Sequence, residues 1–179
     1  MTSKGYLHVY TGDGKGKTTA AFGLAVRALC AGMDVYIGQF VKSMKYNETA
    51  LEPLFDGAGA GYGRLSIEQF GRGCFLDREP DPADIEAARS GLERCRERMA
   101  SGRYGLVVLD ELCIALDCSL LQVDEVLEAL AQRAPGTEAV ITGRYAPAEL
   151  LEAADLVTEM REVKHYYRQG VLSRNGIDR

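Results

Sequence analysis

The 179-residue chain has no tryptophan, and no apolar run long enough to span a bilayer. Its opening stretch, MTSKGYLHVYTG, lacks a signal-peptide core, so neither a membrane-spanning nor an exported protein is expected. Cysteine is sparse and odd in number. Cys30, Cys74, Cys95, Cys113 and Cys118 are scattered without a CxxC pair, which argues against a disulfide framework or a zinc site and suits a reducing cytoplasm. Positive charge is also in deficit: 21 Lys and Arg stand against 26 Asp and Glu, a net charge of −5. A surface that coats a polyanion needs the opposite balance, so nucleic acid is not the expected partner. No internal repeat, low-complexity tract or interdomain linker interrupts the chain, and its length suits one domain over residues 1–179.

What is present is an alternation of short apolar runs and helical patterns. YLHVYT (Tyr6 to Thr11), DVYIGQF (Asp34 to Phe40), LSIEQF (Leu65 to Phe70), LVVLD (Leu106 to Asp110), EAVIT (Glu138 to Thr142) and LVTEM (Leu156 to Met160) read as strands. Several are apolar on both faces, as parallel strands covered by helices are. Between them, Thr18 to Ala31 reads as a small-residue helix ended by Gly32. A second helix starts at Asp81 with a capping aspartate and a first-turn proline, and Ile85, Ala88, Leu92, Cys95 and Met99 form its apolar face. Val123, Val126, Leu127 and Leu130 form another stripe, and Pro147 to Ala154 a short helix. This pattern predicts an α/β domain with a mainly parallel sheet and helices on both faces, and with the phosphate-loop motif described next the expected fold is P-loop NTPase-like (RecA-like). The glycine-rich stretch at about 47–64 reads as a loop, either a lid or a plain connection.

One segment carries chemistry of its own. YTGDGKGKTTAAFG follows a strand and opens a helix, the position in which a phosphate loop acts. Gly12, Gly14 and Gly16 let the backbone curl so that successive amides face one concavity, and the helix N-terminus adds its positive dipole end. Asp13, Lys15 and Thr19 belong to the same cradle, Lys17 supplies a point charge for phosphate oxygens, and the Thr18 hydroxyl is placed to coordinate magnesium. The pattern departs from the usual one at its first position, where Thr11 replaces glycine. Further on, LVVLDE ends a strand in two adjacent carboxylates, Asp110 and Glu111. Ligands gather at the carboxyl ends of strands in open α/β sheets, so this pair either binds Mg²⁺, directly or through water, or caps the following helix. Together these motifs predict MgATP or MgGTP without naming a reaction. No guanine-reading Asn-Lys-x-Asp is present, which disfavours a GTPase.

Read together, YTGDGKGKTTAAFGLAVRA, VVLDEL, VITGRYAPAELLEAADLVTEM and VKHYYRQGVLSRNGID resemble the phosphate-loop ATP:corrinoid adenosyltransferases, from about Gly5 to the C-terminus. The resemblance implies binding of MgATP and a corrinoid reduced to Co(I), transfer of the 5′-deoxyadenosyl group to cobalt and release of triphosphate. The nucleotide would lie reversed in the loop, presenting its ribose C5′. Gly12 to Thr18 would cradle the triphosphate and Lys17 neutralise it. Thr18 and Glu111 would ligate magnesium with Asp110 nearby, and Arg144 would touch phosphate or ribose. His165 would either line the pocket or serve structure. In FGRGCFLDRE, Phe75 is the residue expected to press on the cobalt face in place of the lower ligand. A homodimer and a flavoprotein-type reductase are the implied partners, and the glycine-rich loop or a second subunit the implied cover. A small-molecule kinase and a non-catalytic ATP/corrinoid carrier are the alternatives.

Overall fold

Six strands make one sheet in a computed structural model that describes residues 4–42, 46–56, 59–72 and 79–178. They are β1 (Leu7–Thr11), β2 (Val35–Gln39), β3 (Leu65–Gln69), β4 (Leu106–Asp110), β5 (Glu138–Thr142) and β6 (Leu156–Glu159), in the order β3-β2-β4-β5-β1-β6. Every neighbouring pair is parallel. The helices are α1 (Lys17–Cys30), α2 (Leu51–Asp56), α3 (Pro82–Ala100), α4 (Leu112–Asp117), α5 (Val123–Ala131) and α6 (Ala148–Ala153).

Side chains alternate across a strand, so a central parallel strand must be apolar on both sides. In β4, Leu106 and Val108 pack with Ala21, Phe22, Ala25 and Leu29 of α1, while Val107 and Leu109 enter the opposite layer with Leu92, Cys95 and Met99 of α3 and Val126 and Leu130 of α5. Each large side chain so buried contributes about 1.5–3 kcal/mol of transfer free energy. β6 is different: all four of its residues are exposed, Leu156 at 42% and Val157 at 46%, and it forms the sheet edge beside β1.

The two long helices begin differently. The Asp81 carboxylate accepts from the amides of Ala83 (2.8 Å) and Asp84 (3.1 Å), Asp84 accepts in return from the Asp81 amide (2.8 Å), and Pro82 occupies the first turn. Such a cap contributes about 1 kcal/mol. α1 has no side-chain cap among the described residues, and Gly16 stands in its place with φ 118°. Its first-turn amides therefore stay open for a ligand.

Two segments depart from the sequence expectation. The stretch expected as one loop at about 47–64 contains a 3-10 turn at Asn47–Ala50 followed by α2. Pro53 is tolerated there because the first turn of a helix needs no amide from it, and Glu52 fastens α2 to β3 by accepting from the Ile67 amide at 3.0 Å. α4 was not expected. LCIALD is short, and with Leu112, Cys113 and Ala115 buried it shows little of the polar face that marks a surface helix.

Candidate active site

β1 ends at Thr11, and the chain then curls through residues 12–16 into α1. The glycines are needed for more than a concave row of amides. The chain leaving β6 crosses directly over the loop: the Gly14 amide donates to the Met160 carbonyl at 2.6 Å, and a Cβ on Gly12 or Gly14 would lie 2.5 or 2.7 Å from that same oxygen. Gly12 also has φ 97°, a conformation costly for other residues. Lys17, 7% exposed, folds back inside the curl and donates to the Gly12 carbonyl at 2.6 Å and the Gly14 carbonyl at 2.7 Å. Burial, then repulsion from Arg144, lowers its pKa, while Glu111 and Asp13 oppose the shift.

The order of strands explains what stands beside the loop. β5 is inserted between β1 and β4, and its last residue, Thr142, stands beside Asp110. Asp110 is fully buried. Its Oδ1 accepts from Thr18 Oγ1 at 2.8 Å and Thr142 Oγ1 at 2.7 Å, and its Oδ2 from Gln39 Nε2 at 3.1 Å and Lys42 Nζ at 2.6 Å. Those four donors take up the accepting capacity of a carboxylate. Gln69 extends the row by donating to Gln39 Oε1 at 3.0 Å, so polar groups from β3, β2, β4 and β5 reach the first turn of α1 in one hydrogen-bonded line.

Glu111, the next residue, has φ 60°, and its amide donates to Thr142 Oγ1 at 2.9 Å. That twist sends its carboxylate into the cleft while Asp110 stays beneath. The Glu111 carboxylate has no hydrogen-bond partner among the described residues. Burial raises its pKa first and the Asp110 charge second, against the pull of Lys42, Lys17 and Arg144. The cleft itself, about 660 Å³, is floored by residues 14–19 and walled by Phe22, Lys42, Glu111, Ile114 and Arg144. Tyr46, Asn47 and Glu48, and His165 to Tyr167 with the C-terminal residues 176–178, complete its lining, and the two segments meet where Asn47 Nδ2 donates to Asn175 Oδ1 at 2.7 Å. The tail is fastened there by Asp178, which takes Lys15 Nζ at 2.9 Å, Arg174 Nε at 3.2 Å and the Tyr166 hydroxyl.

A loop of open amides beside a buried ammonium, facing an unpaired carboxylate across a nucleotide-sized cleft, has the chemistry to hold a polyphosphate. The profile of the family described as ATP:corrinoid adenosyltransferase BtuR/CobO/CobP matches residues 3–178. The chain belongs to this family. Three corrinoid adenosyltransferases show the extent of the likeness. The chain is 37% identical over 175 residues to one from Pseudomonas aeruginosa, covering 98% of this chain and 84% of that one. It is 36% identical over 177 residues to one from Escherichia coli K12, covering 98% and 86%. The third, from Salmonella typhimurium, is 35% identical over 177 residues with the same coverage.

Against the expectations for an adenosyltransferase of this family, Gly14, Lys15, Gly16, Lys17, Thr18, Thr19, Glu111 and Arg144 converge on the cleft. Gly12 and Asp13 lie behind it, and Asp110 lies beneath it with no exposed surface. Phe75 falls outside the described residues, as do Cys74 and Leu76. The described residues 59–63 of the glycine-rich segment lie away from the phosphate loop: the Gly63 amide binds the Leu29 carbonyl, and Gly61 lies against Gly32. Those contacts are at the far end of a 14-residue helix, about 20 Å from the end that carries the phosphate loop. The cleft rim is formed instead by the preceding residues 46–48. His165 serves both readings, since its ring lines the cleft while Nδ1 accepts from the Tyr167 amide at 3.0 Å.

Sequence reasoning missed Lys42, Gln39 and Thr142. Each is a polar residue at or just beyond the carboxyl end of a strand flanking the ligand crevice, and that position was the available signal.

Proposed function

We propose that this protein transfers the 5′-deoxyadenosyl group of ATP to the Co(I) centre of a reduced corrinoid, with release of triphosphate. The observation that carries the reading is the phosphate cradle facing Glu111, within a chain that belongs to the adenosyltransferase family over nearly its whole length. The cobalt lone pair attacks the ribose C5′, the Co–C bond forms as the C5′–O bond breaks, and the electron pair leaves on the triphosphate. The nucleophile is the substrate's own metal, so the protein supplies position and charge rather than an attacking side chain. Lys17 and the first-turn amides of α1 hold the departing charge, Arg144 meets phosphate or ribose at the rim, and Lys15 is steadied by Asp178.

Magnesium fits the donor set. Among the described residues no group of three or more His, Cys, Asp and Glu could hold a metal by itself, which suits an ion that arrives on the nucleotide and takes one or two protein oxygens. Glu111, with its free carboxylate, and the Thr18 hydroxyl would hold it, with the fully subscribed Asp110 orienting Thr18 from behind. When bound, Mg²⁺ neutralises the triphosphate.

The chain is read as a single nucleotide-binding domain over residues 1–179 that acts as a homodimer in the cytoplasm and receives Co(I) through a flavoprotein-type reductase. The exposed edge strand β6 supports the pairing, and no helix of the described residues is long and apolar enough to cross a membrane. Phe75 remains our candidate for displacing the lower cobalt ligand. The test is an anaerobic assay with ATP and chemically reduced cobalamin. Appearance of the adenosylated corrinoid spectrum with stoichiometric triphosphate is expected; ADP would establish the kinase, and binding without turnover the carrier.

A further inference from the structure

Between β2 and the cleft the backbone makes an abrupt turn. Val41, a β-branched residue, has φ 64°, and the Lys42 amide donates back to the Phe40 carbonyl at 2.7 Å. A hydrogen bond across two residues with a positive central φ defines a strained γ-turn, and a β-branched side chain makes it costlier. Neighbours hold it from both sides. The Phe40 amide donates to the Asp110 carbonyl at 2.9 Å. Gly71 approaches so closely that a Cβ there would lie 2.2 Å from the Val41 carbonyl carbon and 2.3 Å from the Lys42 nitrogen. The outcome of this enforced turn is that Lys42 Nζ reaches Asp110 Oδ2 at 2.6 Å, with its side chain 14% exposed and its ammonium 5.2 Å over the Tyr46 ring. Burial works against the charge, but Asp110 and Glu111 outweigh it and hold the pKa above its ordinary value.

We propose that Lys42 is a resident counter-cation: without nucleotide its ammonium supplies, beside Asp110 and Glu111, the positive charge that the divalent ion brings with ATP, and the two exchange. This rests on the metal site proposed above. Two adjacent carboxylates, one buried and one half-buried, repel each other unless a cation stands between them and solvent. A tethered ammonium meets that need at every nucleotide concentration and leaves without a diffusing partner. Lys42 also lines the cleft, so the displaced ammonium swings toward the incoming phosphates rather than to solvent.

The probe is Mn²⁺ without nucleotide, followed by the paramagnetic resonance signal of the free ion. The wild-type protein is expected to bind it weakly, whereas Lys42→Met and Lys42→Gln, which remove the charge and keep most of the side-chain volume, gain roughly tenfold or more in affinity. The melting temperature of Lys42→Met rises on adding Mg²⁺, and that of the wild type does not. Equal Mn²⁺ affinity in wild type and variants overturns the proposal. So does stoichiometric tight binding by the wild type alone, a result that needs no variant to fold. Glu111→Gln separates the two readings. If it weakens Mn²⁺ binding in the presence of ATP while Lys42→Met changes nothing, the metal site stands and the exchange falls. If it leaves Mn²⁺·ATP binding unchanged, the metal site itself is wrong.

Discussion

Replacing Asp110 by alanine tests whether the polar row is an integral part of the fold. The carboxylate has no exposed surface and meets four donors, one of them the ammonium of Lys42, whose side chain is 14% exposed. Removing one member of such a pair leaves a buried charge uncompensated and costs about 3–5 kcal/mol. Thr18, Gln39 and Thr142 lose an acceptor as well, although water entering the space vacated by the side chain offsets part of that loss. For a chain of this size roughly 2–4 °C of melting temperature accompanies each kcal/mol, so the midpoint falls by about 6–20 °C. The assay is urea unfolding without nucleotide or metal, reading the midpoint at unchanged slope, on Asp110→Ala, Lys42→Met and the double variant. Because each single change strands the other partner, the double variant is expected to be at least about 1.5 kcal/mol more stable than the sum of the two losses predicts. A loss below about 1 kcal/mol for Asp110→Ala, with additive behaviour in the double variant, would refute the reasoning; it would mean that water already screens the pair.

Three further outcomes are expected. Lys17→Ala lowers the rate of adenosyl transfer by roughly 10²–10³-fold or more while the melting temperature stays within about 4 °C, because among the described residues the side chain bonds only to its own loop; normal turnover would remove Lys17 from the mechanism. Gly71→Ala forces a methyl group against the Val41–Lys42 backbone and destabilises by about 1–3 kcal/mol, with part of the Mn²⁺ gain of Lys42→Met; unchanged stability and metal binding would show that the turn is not held from that side. Asp178 is kept ionised by the Tyr166 hydroxyl first and by Lys15 next, so its carboxyl stays below the usual carboxylate range. A depressed pKa gives stability that is in place at neutral pH and disappears only as pH falls through the folded value. Tail protection in amide exchange should therefore persist on mild acidification and be lost at neutral pH in Asp178→Asn; an unaffected variant would show that the tail is held by other contacts.

Much of this protein can be read from its residues. LVVLD and EAVIT coincide with β4 and β5 to the residue, since a strand apolar on both faces has few other places to go. The capping Asp81 with Pro82 marks the start of α3 for the same local reason. LVTEM was legible as a strand, yet its exposure was not, because edge position depends on which strands the rest of the chain contributes. Lys15 was legible as part of the cradle, but its tie to Asp178, 163 residues on, was not.

The sequence by itself determined the chemistry on offer: a glycine-and-lysine turn between strand and helix, and a carboxylate pair closing an apolar run, are local patterns whose physics needs no distant partner. Only the tertiary structure decided how the two carboxylates divide their work. Inserting β5 between β1 and β4 brings Thr142 against Asp110, and the enforced turn at Val41 brings Lys42, so one acid is sealed in a hydrogen-bonded row while its neighbour, twisted by a positive φ, is left open to the cleft. Strand order and backbone twist are properties of the assembled sheet, and no spacing along the chain encodes them locally.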